Sequence, residues 1–253
     1  MTRRSSAALL AATLWFTARS LPAQGRPVRV FVSNGVKTVI DEVRPQAESA
    51  IGHPLALEFG TTATLKQRIE AGESFDAALL TTDAIADLVK DGKLASGSRA
   101  DLARCGIGMG VRAGAVKPDI RTPEALKRTL QNAQSISFAE AGASRVYLEK
   151  MFDQFGIAAA MKAKTILTPS SVKSNELVRD GKAEYILTLV SEILPAPGVA
   201  LVGPLPAAVQ SYVSFAAGVS TKPADAAAGM AFIRFLKSPA AAPTYKAKGL
   251  DPL

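Results

Sequence analysis

Small hydroxyl and glycine residues gather at five turns of the chain: Ser33-Asn34-Gly35, Gly60-Thr61-Thr62, Gly142-Ala143-Ser144-Arg145, Thr168-Pro169-Ser170-Ser171 and Thr188-Leu189-Val190-Ser191. Each of the first three follows a short apolar run and precedes an amphipathic one. A turn that opens a helix leaves backbone N–H groups without partners, and the helix dipole adds partial positive charge there. Such a turn suits a small anion. Read blandly, Ser33 and Thr62 are ordinary N-caps. The repetition of the device gives the binding reading its force. Arg145 adds a forked donor for a carboxylate; otherwise it is a solvated charge on a helix face. Thr168-Pro169-Ser170-Ser171 caps the next helix and offers further N–H groups, and Ser191 is a ligand group or a turn residue. Glu192 would repel an anion, so it is placed outside the main site.

Enzyme signatures are absent. His53, the sole histidine, has no nearby partners for a triad or a metal. Cys105, the sole cysteine, reads as a small buried apolar residue. Asp76 reads as a cap or turn residue. Gly106, Gly108 and Gly110 alternate along a strand, whereas a dinucleotide fingerprint needs a turn that opens a helix.

These turns need strands to aim them and helices to follow them. Strands are expected at Val28–Val32, Leu55–Phe59, Ala77–Leu80, Ile107–Val111, Ile136–Phe138, Tyr185–Leu189, Val199–Val202 and Tyr212–Gly218. Helices are expected at Val36–Ala50, Leu65–Ala71, Asp83–Asp91, Pro123–Ala133, Ser144–Phe155, Val172–Gly181 and Ala224–Lys237. Alternation of this kind is an α/β pattern. Neighbouring parallel strands would bring their turns to one crevice at their carboxyl ends.

The N-terminus reads as a secretory signal, residues 1–23: basic Arg3 and Arg4, an apolar run from Ala7 to Phe16, and Leu21-Pro22-Ala23 as a cleavage site. That leader carries three Arg and no acid. Without it 27 basic and 22 acidic residues remain, a net charge of +5 against +8 for the whole chain. With aromatics at 6% and no dense basic run, nucleic-acid binding is not expected. One cysteine allows no internal disulfide, and no cysteine follows the cleavage site to carry a lipid. A periplasmic, monomeric protein is expected.

The successive stretches VFVSNGV, LEFGTTATLKQRIEAGESFDAALLTTD, ASRVYLEK and LVRDGKAEYILTLVSEIL resemble periplasmic molybdate-binding-type proteins. These are type 2 substrate-binding proteins of ABC importers. The resemblance covers nearly the whole chain after the leader and is most specific over Phe59–Asp76. It implies an α/β, two-lobed periplasmic-binding-protein type 2 fold with crossing strands and a central ligand cleft. The lobes would be 24–108 with 212–253, and 109–211. It implies a small anionic ligand, a molybdate-type oxyanion or a polycarboxylate, a membrane permease as partner, and no cofactor or metal. Thr62 falls at a ligand-binding serine of that family. Gly35 falls at another, so Ser33 or Asn34 would replace the hydroxyl. Thr61 sits in the same second turn. Ser144 falls at a backbone donor, and Ser171 or Val172 near another. Leu189 falls where molybdate binders often carry a tyrosine. The stretches SNGV, TLVSEIL and VGPLPAAVQSYVSFAAG resemble a subgroup of less certain ligand, similar to a periplasmic aconitate isomerase that uses the fold without a cofactor. The enzymatic alternative needs a base, for which Glu192 and Glu140 are weak candidates.

Overall fold

A computed structural model describes residues 25–253 of the chain. The leader expected at 1–23 lies outside them. Strand β1 (Val28–Ser33) sits between β2 (Leu55–Gly60) and β3 (Ala77–Thr81), all three parallel. Helices α1 (Lys37–Ile51), α2 (Thr62–Glu70) and α3 (Thr82–Lys90) follow them in turn. Val28, Val30 and Val32 of β1 pack into one apolar cluster and Phe31 into another on the opposite face. The period-2 side-chain alternation of a strand produces this division, and both faces are covered by helices. Phe31 stacks on Phe75, with ring centroids 5.4 Å apart, and the guanidinium groups of Arg29 and Arg68 lie over the Phe31 ring.

The second half repeats the arrangement. Parallel β5 (Ile136–Ala139), β6 (Thr165–Thr168) and β7 (Tyr185–Leu189) are joined through α5 (Arg145–Gln154) with α6 (Ala158–Lys164), and through α7 (Ser171–Arg179). Helix α4 (Pro123–Asn132) enters this half behind a Thr122 cap that accepts the Ala125 N–H. The sequence reading missed α6 and β6, the one-turn helix α8 (Val190–Ile193), the late helix α10 (Ala242–Ala247) and β10 (Leu250–Pro252). All are short, so their apolar periods barely repeat.

Strand β4 (Ala100–Arg112) is the join, and it is much longer than the expected Ile107–Val111. Its Ala100–Gly106 part pairs with β9 (Tyr212–Val219) and β10, in the first half. Its Ile107–Arg112 part pairs with β7 and with β8 (Val199–Pro204), in the second. At the changeover the Gln210 amide clamps both the N–H and the carbonyl of Ile107. The chain then returns through β9, and α9 (Ala226–Leu236) packs against α1. The alternating glycines have a steric cause. A Cβ on Gly108 would lie 3.0 Å from the Gly203 carbonyl oxygen, and one on Gly110 only 2.7 Å from Ile186.

Asp76 ties the first half together. It is buried, and its carboxylate accepts the N–H groups of Arg29, Ala224 and Asp225. Asp76→Ala leaves three donors unpaired and should lower unfolding stability by at least ~2 kcal/mol in urea titration. Gly110→Val should cost ~1–3 kcal/mol by overpacking. An unchanged urea midpoint in either variant would refute the corresponding account.

Candidate functional site

The carboxyl ends of β1 and β2 lie side by side, with Ser33 in register with Gly60. The ends of β5 and β7 face them from the other half. Their turns enclose a narrow cavity of about 20 Å³, lined by Ser33, Asn34, Gly35, Thr61, Thr62, Ala139, Gly142, Ala143, Ser171, Leu189 and Glu192. That is room for one water, so a larger ligand requires the halves to part. Three helices start beside it. The first N–H groups of α2 (Thr62, Ala63) and α7 (Ser171, Val172), and those of Ala143 and Ser144 ahead of α5, meet no protein acceptor among the described residues. The site therefore supplies neutral donors and three helix dipoles to an anion.

The hydroxyls divide their work. Thr61 is the N-cap of α2 and accepts the Thr64 N–H, which leaves Thr62 turned to other partners. Thr62 Oγ1 donates to Ser33 Oγ at 3.1 Å and accepts the Thr81 N–H. Ser170 caps α7 by accepting the Lys173 N–H. Ser171, one residue on, donates to Glu192 Oε1 at 2.9 Å, and Thr188 donates to Glu192 Oε2.

Glu192 must be moved into the site. The sequence reading excluded it as repulsive to an anion, but α8 carries it into the cavity wall. The residue keeps some exposed surface, yet protein crowds its carboxylate. Desolvation pushes its pKa above the ordinary carboxylate value, against the opposing pull of the hydrogen bonds from Thr188, Ser171 and the Leu189 backbone. Among the described residues no cation pairs with it. One turn of helix after β7 was too short a signal to reveal this placement.

Several other expectations change. Gly35 is a steric requirement: a Cβ there would lie 2.3 Å from Phe215 and 2.8 Å from Leu189. Ser191 lines a rear chamber rather than the inner cavity. It is buried, and its hydroxyl bonds the Gly35 carbonyl at 2.8 Å, tying the two halves together. Val172 lines the same rear chamber, of about 380 Å³, with Lys37, Asn175, Arg179 and Pro195. Arg145 lines a wider front chamber of about 690 Å³. It is held there by Glu149 at 2.7 Å and by the Glu140 carbonyl. Ser144 is buried just before α5 but is not part of the inner cavity lining, which Gly142 and Ala143 supply. No group of three or more acidic, histidine or cysteine residues suited to a metal occurs among the described residues. Nor is any described helix long and apolar enough to cross a membrane.

A family model for bacterial extracellular solute-binding proteins matches residues 28–251. The chain belongs to this family. An aconitate isomerase from a Pseudomonas species is 31% identical over 230 residues, covering 88% of this chain and 87% of its own. The molybdate-binding protein ModA of Azotobacter vinelandii is 25% identical over 233 residues, 90% of each chain. Among solved structures, the sulfate-binding protein SubI of Mycobacterium tuberculosis superposes with a TM-score of 0.77 at 15% identity, covering 90% of this chain and 88% of that one. The two-lobed fold of the binding proteins is thus shared.

Restoring a hydroxyl at position 35 should not create a contact. Gly35→Ser should displace Phe215 and Leu189, destabilise the protein by ~1–3 kcal/mol, and weaken any ligand. Tighter ligand binding by this variant in calorimetry would contradict the steric account.

Proposed function

We propose that the chain is the periplasmic solute-binding component of an importer and holds a small organic polycarboxylate in its interlobe cleft. The carrying observation is the set of three helix starts, with free N–H groups and neutral hydroxyls, around one cavity. Two features favour a carboxylate over a tetrahedral metal oxyanion. A carboxyl group, Glu192, stands in the wall. Leu189 occupies the place where molybdate binders often carry a tyrosine. Arg145, at the front opening, is placed to meet a second carboxylate if it exchanges away from Glu149. The lobes would be 24–108 with 212–253, and 109–211, hinging at β4 and the return segment before β9. The protein would act as a monomer, without cofactor, and deliver its ligand to a membrane permease.

A second reading is an isomerase acting on an unsaturated tricarboxylate. The identity to an aconitate isomerase and the desolvated Glu192 favour it. Such a reaction needs a group that moves a proton alpha to a carboxylate, and a raised carboxyl pKa suits that task.

Thermal-shift titration with citrate, cis- and trans-aconitate, molybdate, tungstate and sulfate tests the ligand class. A ligand at 100 times its Kd should stabilise the fold by about 2.7 kcal/mol. Thr62→Ala should cost ~1.5–3 kcal/mol of affinity, the worth of a hydrogen bond to a charged group. Arg145→Ala should weaken a tricarboxylate and leave an oxyanion unaffected. Stabilisation by oxyanions alone would refute the polycarboxylate. NMR of cis-aconitate incubated with the protein separates the readings: formation of the trans isomer refutes pure transport, and tight binding without turnover refutes the enzyme.

A further inference from the structure

Glu192 stands between two spaces. It lines the inner anion cavity with Ser33, Thr62 and Ala143, and also the rear chamber with Lys37, Asn175 and Arg179. The cations of the rear chamber and of α7 are matched elsewhere. Lys37 pairs with Asp41 and lies over the Phe59 ring. On α7, Lys173 pairs with Glu176, and Arg179 with Asp180. The Cys105 thiol of β4 feels the Glu192 charge, although its pKa is raised chiefly by burial. The remaining contacts are neutral: Ser171 and Asn175 from α7, Thr188 from β7, and Asn34 from the first lobe. The Asn175 amide donates to the Glu192 backbone carbonyl at 3.0 Å and so fixes the residue that carries the acid.

The hydroxyl protons of Ser171 and Thr188 are both directed at the Glu192 carboxylate. A hydroxyl has one proton to give. Neither can therefore donate to a ligand while Glu192 is ionised and holds them. An anion entering the cavity on this side would meet oxygen lone pairs and a negative charge. One added proton reverses the situation. A carboxylic acid has its own O–H to donate, and its oxygens still accept the two hydroxyls. Two carboxyl groups brought together commonly share one proton, because the like charges disfavour double ionisation.

We propose that Glu192 takes up one proton as the cleft captures its ligand, and then donates a hydrogen bond from its carboxylic acid to a ligand carboxylate. Glu192 is thereby the residue that tunes the cleft to organic acids. A ligand carboxylate has nearly the same basicity as the glutamate and shares the proton well. The anion of a strong acid, such as sulfate, shares it poorly. This inference rests on the polycarboxylate reading above. It holds whether or not the ligand is turned over.

Isothermal titration calorimetry of the mature chain tests it, with citrate, cis-aconitate, trans-aconitate and molybdate as probes. Titration at one pH in two buffers of different ionisation enthalpy counts the protons exchanged. About one proton should be taken up per carboxylate ligand bound. The Kd should rise by up to about tenfold per pH unit above the Glu192 pKa of the free protein, as proton linkage requires. Glu192→Gln, checked for native circular dichroism, should still bind carboxylates but lose both the uptake and the slope. Thr188→Val removes one donor to the carboxylate and should move the sloping limb to higher pH, which tests the assignment if the Gln variant does not fold. Tight carboxylate binding by the wild type with no proton uptake and a flat profile would overturn the role of Glu192 and leave the polycarboxylate reading standing. So would an uptake that survives Glu192→Gln. Binding of molybdate alone, or of none of the probes, would overturn both.

Discussion

The architecture depends on β4 belonging to both lobes. One strand satisfies the ladder of the first sheet up to Gly106 and of the second from Ile107. Buried backbone groups must be paired, and at the change of partners the Gln210 side chain bonds both backbone groups of Ile107, alongside the backbone of Ser211 and Leu205. The strand carries glycine at alternate positions because β8 and the α8 region approach it too closely for a Cβ. Everything at the site follows from this strand. It sets the two groups of strand ends opposite one another.

Given that opposition, the proposed anion binding rests mainly on the backbone. Parallel strands end on the same side, and each helix that follows begins with N–H groups that have no intrahelical acceptor. Side chains adjust the result. Thr61 and Ser170 satisfy part of this demand as caps, while their neighbours Thr62 and Ser171 turn to the cavity. Phe215 and Leu189 close over Gly35, so the first turn contributes backbone with Ser33 and Asn34 beside it. The Ser191 hydroxyl joins the halves where a ligand contact was expected.

The acid in the wall separates this cleft from one built purely of neutral donors. Burying a carboxylate without a cation is costly, and a group so placed tends toward its neutral form. Ser171 and Thr188 hold the Glu192 oxygens in a fixed orientation. This makes the cleft asymmetric: the first lobe brings one helix start with the Ser33 and Thr62 hydroxyls, and the second brings two helix starts with an oriented carboxyl.

The alternation of strands and helices, the turns that open helices and about half of the cavity lining are legible in the residues alone. These are local matters: apolar period, capping residues and glycine placement act within a few positions of one another. Asp76 read as a local cap or turn residue, whereas its carboxylate bonds Arg29, Ala224 and Asp225, all distant in the chain. The surroundings of Gly35, Arg145, Ser191 and Glu192 are set by the fold as a whole. Gly35 and Ser191 depend on residues far away in the chain: Phe215 against Gly35, and the Gly35 carbonyl against Ser191. Arg145 is turned by Glu149 on its own helix, but only the fold puts that pair at the front opening rather than the inner cavity. Glu192 read as repulsive because charge is visible in a sequence and desolvation is not. Its chemistry arises from the crowding of β7, α7 and α8 around one carboxyl group, and no spacing along the chain encodes that crowding.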